Sequence, residues 1–367
     1  MTAIRTHEPA LETKIAQLLL VGFRGIDKVG AAGTIDDIAE HHLGGVVLFD
    51  VDGLSGQPLR NVVSQEQLYA LTCDLQAAVA KTASPSPLPP LLIAVDQEGG
   101  QVRRLKERHG FAAATSAQEL GRRDDLEVTR VEAAAIAGSL RACGVNMNLA
   151  PVVDVNVNPR NPVIGEKSRS FSDDPEIVGA HAAAFIQAHR EAGICCALKH
   201  FPGHGSSTAD THTGFTDVTQ TWDEAELRPF AQLIEQDLAA AVMTAHVFNA
   251  QLDSRWPATL SHAIITGQLR RRLKFDGVVI SDDLGMGAIA GRYGRVQALE
   301  LALVAGVDVL CLCNQTTYEE DLVERTVEEI STLVSRGKVA VGRIEEAYTR
   351  VKRLKESLAV APNPDKP

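Results

Sequence analysis

Eight short apolar runs punctuate the chain: Leu18–Phe23, Gly44–Phe49, Leu91–Val95, Val145–Ala150, Cys195–Lys199, Ala241–Ala245, Val278–Ile280 and Val307–Leu312. They are rich in Val, Leu and Ile and do not alternate with polar residues. That is the pattern of parallel strands buried on both faces. Between them, apolar residues recur at helical spacing. Gln65–Lys81 carries Leu68, Leu71, Leu75 and Val79, and Val128–Arg141 is Ala-rich with Val131, Ile136 and Leu140. Asp223–Gln236 opens on Asp223 and Glu224, which suits a helix N-terminus. Eight strands alternating with helices predict an α/β fold, a (β/α)8 barrel of TIM type. The alternative is an open doubly wound sheet, but no Gly-x-Gly-x-x-Gly follows the first strand and no phosphate loop is found.

No second composition regime and no repeat beyond the strand–helix rhythm divides the chain, so residues 1–360 are expected to form one domain. The Pro-rich stretch Ser84–Pro90 reads as a rigid loop. Residues 361–367 read as a disordered tail.

At 367 residues, 45% hydrophobic and 23% charged, the chain is long and apolar enough for a deep core. Only 4% is aromatic and the net charge is −11, which argues against nucleic acid as a partner. The triplet Arg270-Arg271-Arg272 reads as a solvated helix face. No apolar run approaches the ~20 residues of a membrane helix. The run Leu18–Val21 is too short for a secretion signal, so a cytoplasmic location is expected. Of six cysteines, four lie in apolar runs, and Cys311-Leu312-Cys313 lacks zinc-finger spacing; all are read as reduced core thiols.

Polar chemistry collects just after the strands. The densest stretch runs from Lys199-His200-Phe201-Pro202-Gly203-His204-Gly205 to Asp210-Thr211-His212. A buried strand breaks there into a Pro/Gly/Ser loop bearing a cation, three histidines and a carboxylate. Asp210 is two residues from His212, close enough to orient and charge-tune its imidazole. Other strand ends carry Asp96 to Arg104, Asp154 to Phe171, His246, and Ser281-Asp282-Asp283. In a barrel all of these surround one mouth. Asp96, Arg104, Arg169, Lys199, His200 and Asp282 would make that mouth polar and of mixed charge, suited to a hydroxyl-rich neutral ligand.

Each residue alone has a plainer reading. Asp96 could cap a helix, Arg104 and Arg169 could be surface ion-pairing residues, and His246 a satisfied rim histidine. Either Asp282 or Asp283 could be the cap while the other reacts. Lys199 and His200 cannot both face the mouth from a regular strand, so an irregular backbone is expected there.

Lys-His-Phe-Pro-Gly-His-Gly followed by Asp-x-His, together with Ser-Asp-Asp-Leu-x-Met, resembles glycoside hydrolase family 3, nearest its β-N-acetylglucosaminidase branch of cell-wall recycling enzymes. The likeness covers almost the whole chain. It implies Asp282 as nucleophile, His212 as general acid/base and Asp210 as its carboxylate partner. It also implies Asp96, Arg104, Arg169, Lys199 and His200 as sugar-binding residues. Lys167 and Ser168 stand between Glu166 and Arg169, a departure from the family's Gly-Glu-Arg-Ser-Phe. The single-domain members are the ones it resembles.

The implied activity is a retaining exo-β-N-acetylglucosaminidase. It would release terminal β-linked N-acetylglucosamine from muropeptide fragments of peptidoglycan, with no cofactor and no metal. Retention needs the two catalytic groups ~5 Å apart, without an intervening water. A phosphorylase or β-glucosidase of the same family is the nearest alternative. A metal-dependent hydrolase using His200, His204, Asp210 and His212 is a further one.

Overall fold

The computed structural model describes residues 8–82 and 87–358. The expected tail 361–367 and the start of the Pro-rich connector lie outside the described residues. Eight parallel strands form a closed ring: β1 (Leu19–Gly22), β2 (Gly45–Leu48), β3 (Leu92–Val95), β4 (Met147–Asn148), β5 (Cys195–Phe201), β6 (Ala241–Thr244), β7 (Val278–Ile280) and β8 (Leu310–Leu312). Each pairs with its neighbours in chain order, and β8 returns to β1 through Leu19↔Leu310. The last seam, β7 to β8, closes through Ile280↔Val309, with the Ser281 N–H donating to Val309 O at 2.9 Å. All eight apolar runs of the sequence are therefore strands of one (β/α)8 barrel.

Every residue of these strands is buried, as the unbroken apolar runs require. The helices between them follow local signals. Ser64 caps Gln65–Val79 by accepting from the Gln67 N–H at 3.2 Å, and Asp125 caps Leu126–Ala142 through the Glu127 and Val128 N–H groups. Asp174 caps Pro175–Glu191, with Pro in the first turn where its missing N–H costs nothing.

Four expectations are corrected. Val131 is not on the packed face; it is 57% exposed, while Ile136 and Leu140 are buried. Asp223–Gln236 is not one helix. Asp223 caps a 3₁₀ turn, Glu224–Leu227, and the α-helix is Arg228–Glu235. Arg270 is not part of a solvated face. Its guanidinium pairs with the fully buried Asp308, which also takes Arg343. Arg271 and Arg272 are exposed as expected. Finally, Cys73 and Cys313 are not core thiols but half-buried; Cys311 is buried in the core, and both it and Cys313 line the barrel mouth.

Asp308 marks the other end of the barrel. It precedes β8, accepts from the Val279 N–H at 3.0 Å, and so ties the closing seam to three arginines, Arg270, Arg343 and, at 3.6 Å, Arg350. Lys355 does the same for β1 and β2. Its buried ammonium reaches Gln17 Oε1 at 2.8 Å and Gly44 O at 2.7 Å, with no carboxylate among its described partners. Burial pushes its pKa down to about 7.

Candidate active site

At the C-terminal mouth lies a cavity of ≈ 340 Å³, within the range of small-molecule sites. All eight residues singled out from the sequence except Asp210 line it, and Asp210 is bonded to one that does.

The floor is an ionic cluster. Lys199 Nζ lies 2.7 Å from both Asp96 and Glu98, and Arg169 forks onto Glu98 at 2.8 and 2.7 Å. Arg104 donates to the second Asp96 oxygen at 3.1 Å. Burial pushes the Asp96 and Glu98 carboxyls up, but Lys199 with Arg104 at the first, and Arg169 with Lys199 at the second, outweigh it; both are held below the usual carboxylate range. Lys199, buried but flanked by two carboxylates, is correspondingly raised. Asp96 thus caps no helix, and Arg169 is a buried pair member rather than a surface one.

Glu98 is a site residue the sequence did not single out. It stands two residues past Asp96, in a short antiparallel hairpin, Gln97–Gly99 with Val102–Arg103, that folds Arg104 back over Asp96. A carboxylate two positions after a strand-end carboxylate was the available signal.

Asp154 is the second. Buried behind the site, it lies 2.7 Å from His200 Nδ1 and accepts the His200 and His204 N–H groups at 3.2 and 2.8 Å. This one side chain fixes both the imidazole and the start of the loop. Its carboxyl, which burial pushes up, is held down by the His200 ring. The backbone at Lys199 and His200 is irregular, as expected. The register shifts between Leu198 and Phe201, the Lys199–His200 peptide is cis, and both side chains face the cavity.

Asp282 follows β7 and accepts the Asp283 N–H at 2.8 Å. Burial pushes its carboxyl up, but the rings of His246, His200 and His212 prevail, and it is held below its ordinary value. Asp283 is different. It accepts the Gly285 and Cys313 N–H groups, both at 3.0 Å, and so fastens the turn to the end of β8. Burial and the neighbouring Asp282 raise its pKa. Of the two readings left open, Asp283 is the turn-capping residue and Asp282 presents the free carboxylate. His246 is a satisfied rim histidine, held by Thr259 Oγ1 at 2.8 Å and Asp283 O at 2.9 Å.

The loop after β5 contrasts with this packing at its far end. Its first part is pinned: His204 touches Ser207 Oγ at 2.8 Å and Thr211 Oγ1 at 3.3 Å. A Cβ on Gly205 would sit 1.7 Å from Val155 O, so only glycine fits there. The metal alternative is thereby split, because His200 is held on Asp154 and His204 inside its own loop. Among the described residues no three His, Cys, Asp or Glu side chains converge on a metal position.

The loop's outer part carries Asp210 and His212. Asp210 Oδ1 accepts the His212 N–H at 2.8 Å and lies 2.7 Å from its Nδ1. The His212 side chain is 57% exposed. The loop is bonded to the start of the helix Gly287–Tyr293, with Gly287 N–H donating to His212 O at 3.3 Å and Ala288 N–H to Thr211 O at 3.2 Å. A Cβ on Gly287 would meet His212 O at 2.9 Å, so the approach is close because residue 287 has no side chain.

A barrel mouth that joins a buried ionic floor to an exposed carboxylate–imidazole pair has the make-up of a barrel active site. Residues 10–354 match the model of the glycosyl hydrolase family 3 N-terminal domain, and the chain belongs to that family. It is 39% identical over 314 residues to a beta-hexosaminidase of Xylella fastidiosa, covering 83% of this chain and 86% of that one. It is 33% identical over 341 residues to beta-hexosaminidase A of Pseudoalteromonas piscicida, covering 88% of this chain but 54% of that longer protein. The solved family 3 beta-N-acetylglucosaminidase of a Paenibacillus species superposes with a TM-score of 0.87 at 33% identity, over 98% of this chain and 64% of the other. The chain thus spans about half of one relative and about two thirds of that solved structure.

Proposed function

We propose that the protein is a retaining exo-β-N-acetylglucosaminidase acting from the barrel itself, residues 1–360. It would remove terminal β-linked N-acetylglucosamine from muropeptide fragments in the cytoplasm. The sugar is supported by the names of the relatives, and the fragment and compartment by the sequence resemblance. Asp282 would attack the anomeric carbon to form a glycosyl ester. Held ionised by three imidazoles, on a turn fastened to β8, it meets a nucleophile's need for charge and fixed position.

His212 would protonate the leaving oxygen, then take a proton from the water that cleaves the ester. With Nδ1 facing Asp210, Nε2 is left for both transfers. Asp96, Arg104, Lys199, His200 and Arg169 would bind the terminal sugar, Arg169 while remaining forked on Glu98.

The observation that carries this reading is the placing of His212 on the cavity of Asp282, through a loop bonded to residues five and six positions beyond that carboxylate. Its test is a slow 5-fluoro sugar with peptide mapping, alongside turnover of β-N-acetylglucosaminide, β-glucoside and β-xyloside substrates. Label on the Asp282 peptide and turnover of the acetamido sugar are expected. Label on Asp283 overturns the nucleophile, and turnover of the β-glucoside alone overturns the sugar. A sugar 1-phosphate on adding inorganic phosphate would make the enzyme a phosphorylase.

A further inference from the structure

Two thiols face each other in the cavity wall, and neither has a part in the proposed reaction. Cys311 Sγ and Cys313 Sγ, at the end of β8, lie 3.6 Å apart, and both residues line the cavity. They are two positions apart in the chain, so an extended strand sends their side chains to the same face. Cys311 is buried and Cys313 is half-buried.

The backbone that carries them is clamped on both sides. The Cys311 N–H donates to Ser281 Oγ at 2.9 Å, and Cys311 O accepts the Leu284 N–H at 3.0 Å. The Cys313 N–H donates to the Asp283 carboxylate at 3.0 Å, and Cys313 O accepts from Arg60 at 3.3 Å. The main chain cannot shift without breaking the turn that presents Asp282.

That rigidity decides which chemistry fits. A disulfide needs its sulfurs about 2.05 Å apart, with the two Cα atoms usually within ~6.8 Å. The clamped, extended strand resists the closure required. One atom bridging both sulfurs needs no closure. With metal–sulfur bonds of about 2.3 Å, sulfurs 3.6 Å apart subtend an angle of about 103° at the bridging centre. A linear two-coordinate ion such as mercury(II) does not fit that angle. A trivalent arsenic centre, pyramidal with angles near tetrahedral, does.

We propose that Cys311 and Cys313 form a preset dithiol site for trivalent arsenicals in the wall of the sugar cavity. For an organoarsine oxide, two S–H bonds and the As=O bond break and two As–S bonds form. The two thiol protons leave with the oxygen as one water, and arsenic stays trivalent, so no oxidant is needed. The third arsenic substituent projects into the cavity, so occupancy blocks substrate. The Cys313 thiol bonded to Cys311 favours thiolate there, but burial together with the Asp283, Asp282 and Asp96 charges outweighs it and raises the Cys311 pKa. Binding is therefore slow at neutral pH and faster as pH rises.

The test uses phenylarsine oxide on the full chain, read by intact mass and by residual turnover. One adduct per chain is expected, with loss of activity that a dithiol reverses and an equal thiol concentration of a monothiol does not. Cys313→Ser, scored against its own untreated activity, should need at least tenfold more reagent and lose the dithiol-selective reversal. Cys73→Ser, outside the cavity, should behave as wild type. No adduct on wild type, an adduct mapped to Cys195 and Cys196, or a Cys313→Ser variant as sensitive as wild type would each overturn the assignment. If Cys313→Ser fails to fold, peptide mapping of the wild-type adduct decides the same point.

Discussion

The two ends of the barrel both bury charge, and they do so to opposite ends. At the bottom, Asp308 takes three arginines and a backbone N–H, and Lys355 is held by Gln17 and the Gly44 carbonyl. Those bonds join the ends of strands, and they hold the ring shut. At the mouth, Asp282 uses one oxygen on a backbone N–H, and His212 turns one nitrogen to Asp210. Each keeps its other atom toward the cavity. Charge that is fully partnered stabilises a fold; charge left partly unpartnered is what chemistry requires. The ionic floor around Lys199 lies between these extremes, since Asp96 is paired twice yet keeps part of its side chain open to the cavity.

Substitutions at the two ends should therefore separate activity from stability. The largest effect is expected at His212. His212→Ala should lower turnover of a natural disaccharide about 10²- to 10⁴-fold, and of an activated aryl glycoside far less in its first step. A burst and rescue by azide should accompany it, with the melting temperature unchanged because the ring is mostly exposed. Equal losses on both substrates without rescue would remove His212 from the proton path.

Asp308→Asn should do the reverse. It removes the carboxylate shared by Arg270, Arg343 and Arg350; the last two keep Glu346, but part-buried Arg270 is left with backbone carbonyls, a loss toward about 3 kcal/mol in denaturant unfolding. Turnover per folded molecule should stay as it was. A large fall in turnover with normal stability would show that the bottom cluster reaches the mouth.

The effect at Lys355 is of another kind, because it lies in a slope. The folded pKa, about 7, is below the unfolded value near 10.5, so the unfolded chain binds more protons between them. Stability should rise with pH across that window and level off below it. Lys355→Met should flatten the rise, measured as unfolding free energy at several pH values. An unchanged slope would place the titration elsewhere.

The strands were legible because burial on both faces writes an unbroken apolar run, and all eight runs became strands of the ring. Asp210 and His212 were legible for a related reason: the pairing is local, spanning two residues of chain. What the sequence hid was pairing at long range. Glu98 meets Arg169 across 71 residues and His200 meets Asp154 across 46, and no local pattern encodes either partner. Arg270 failed in the same way, because its partner Asp308 lies 38 residues on and inside the seam. Cys311 and Cys313 were both read as core from their apolar surroundings; Cys311 is core, but Cys313, where the strand end opens into the cavity, is half-buried.

The contact at Gly287 bears on how such enzymes can be altered. The loop bearing His212 rests on the segment that begins with Asp282, and it can rest there only while residue 287 is bare. Two stretches distant in sequence, 204–215 and 281–288, are thus a single inheritable part. A chimera that exchanges one of them with a relative carrying a side chain at 287 would lift the loop off its seat. Exchanged together, they would travel as one cassette.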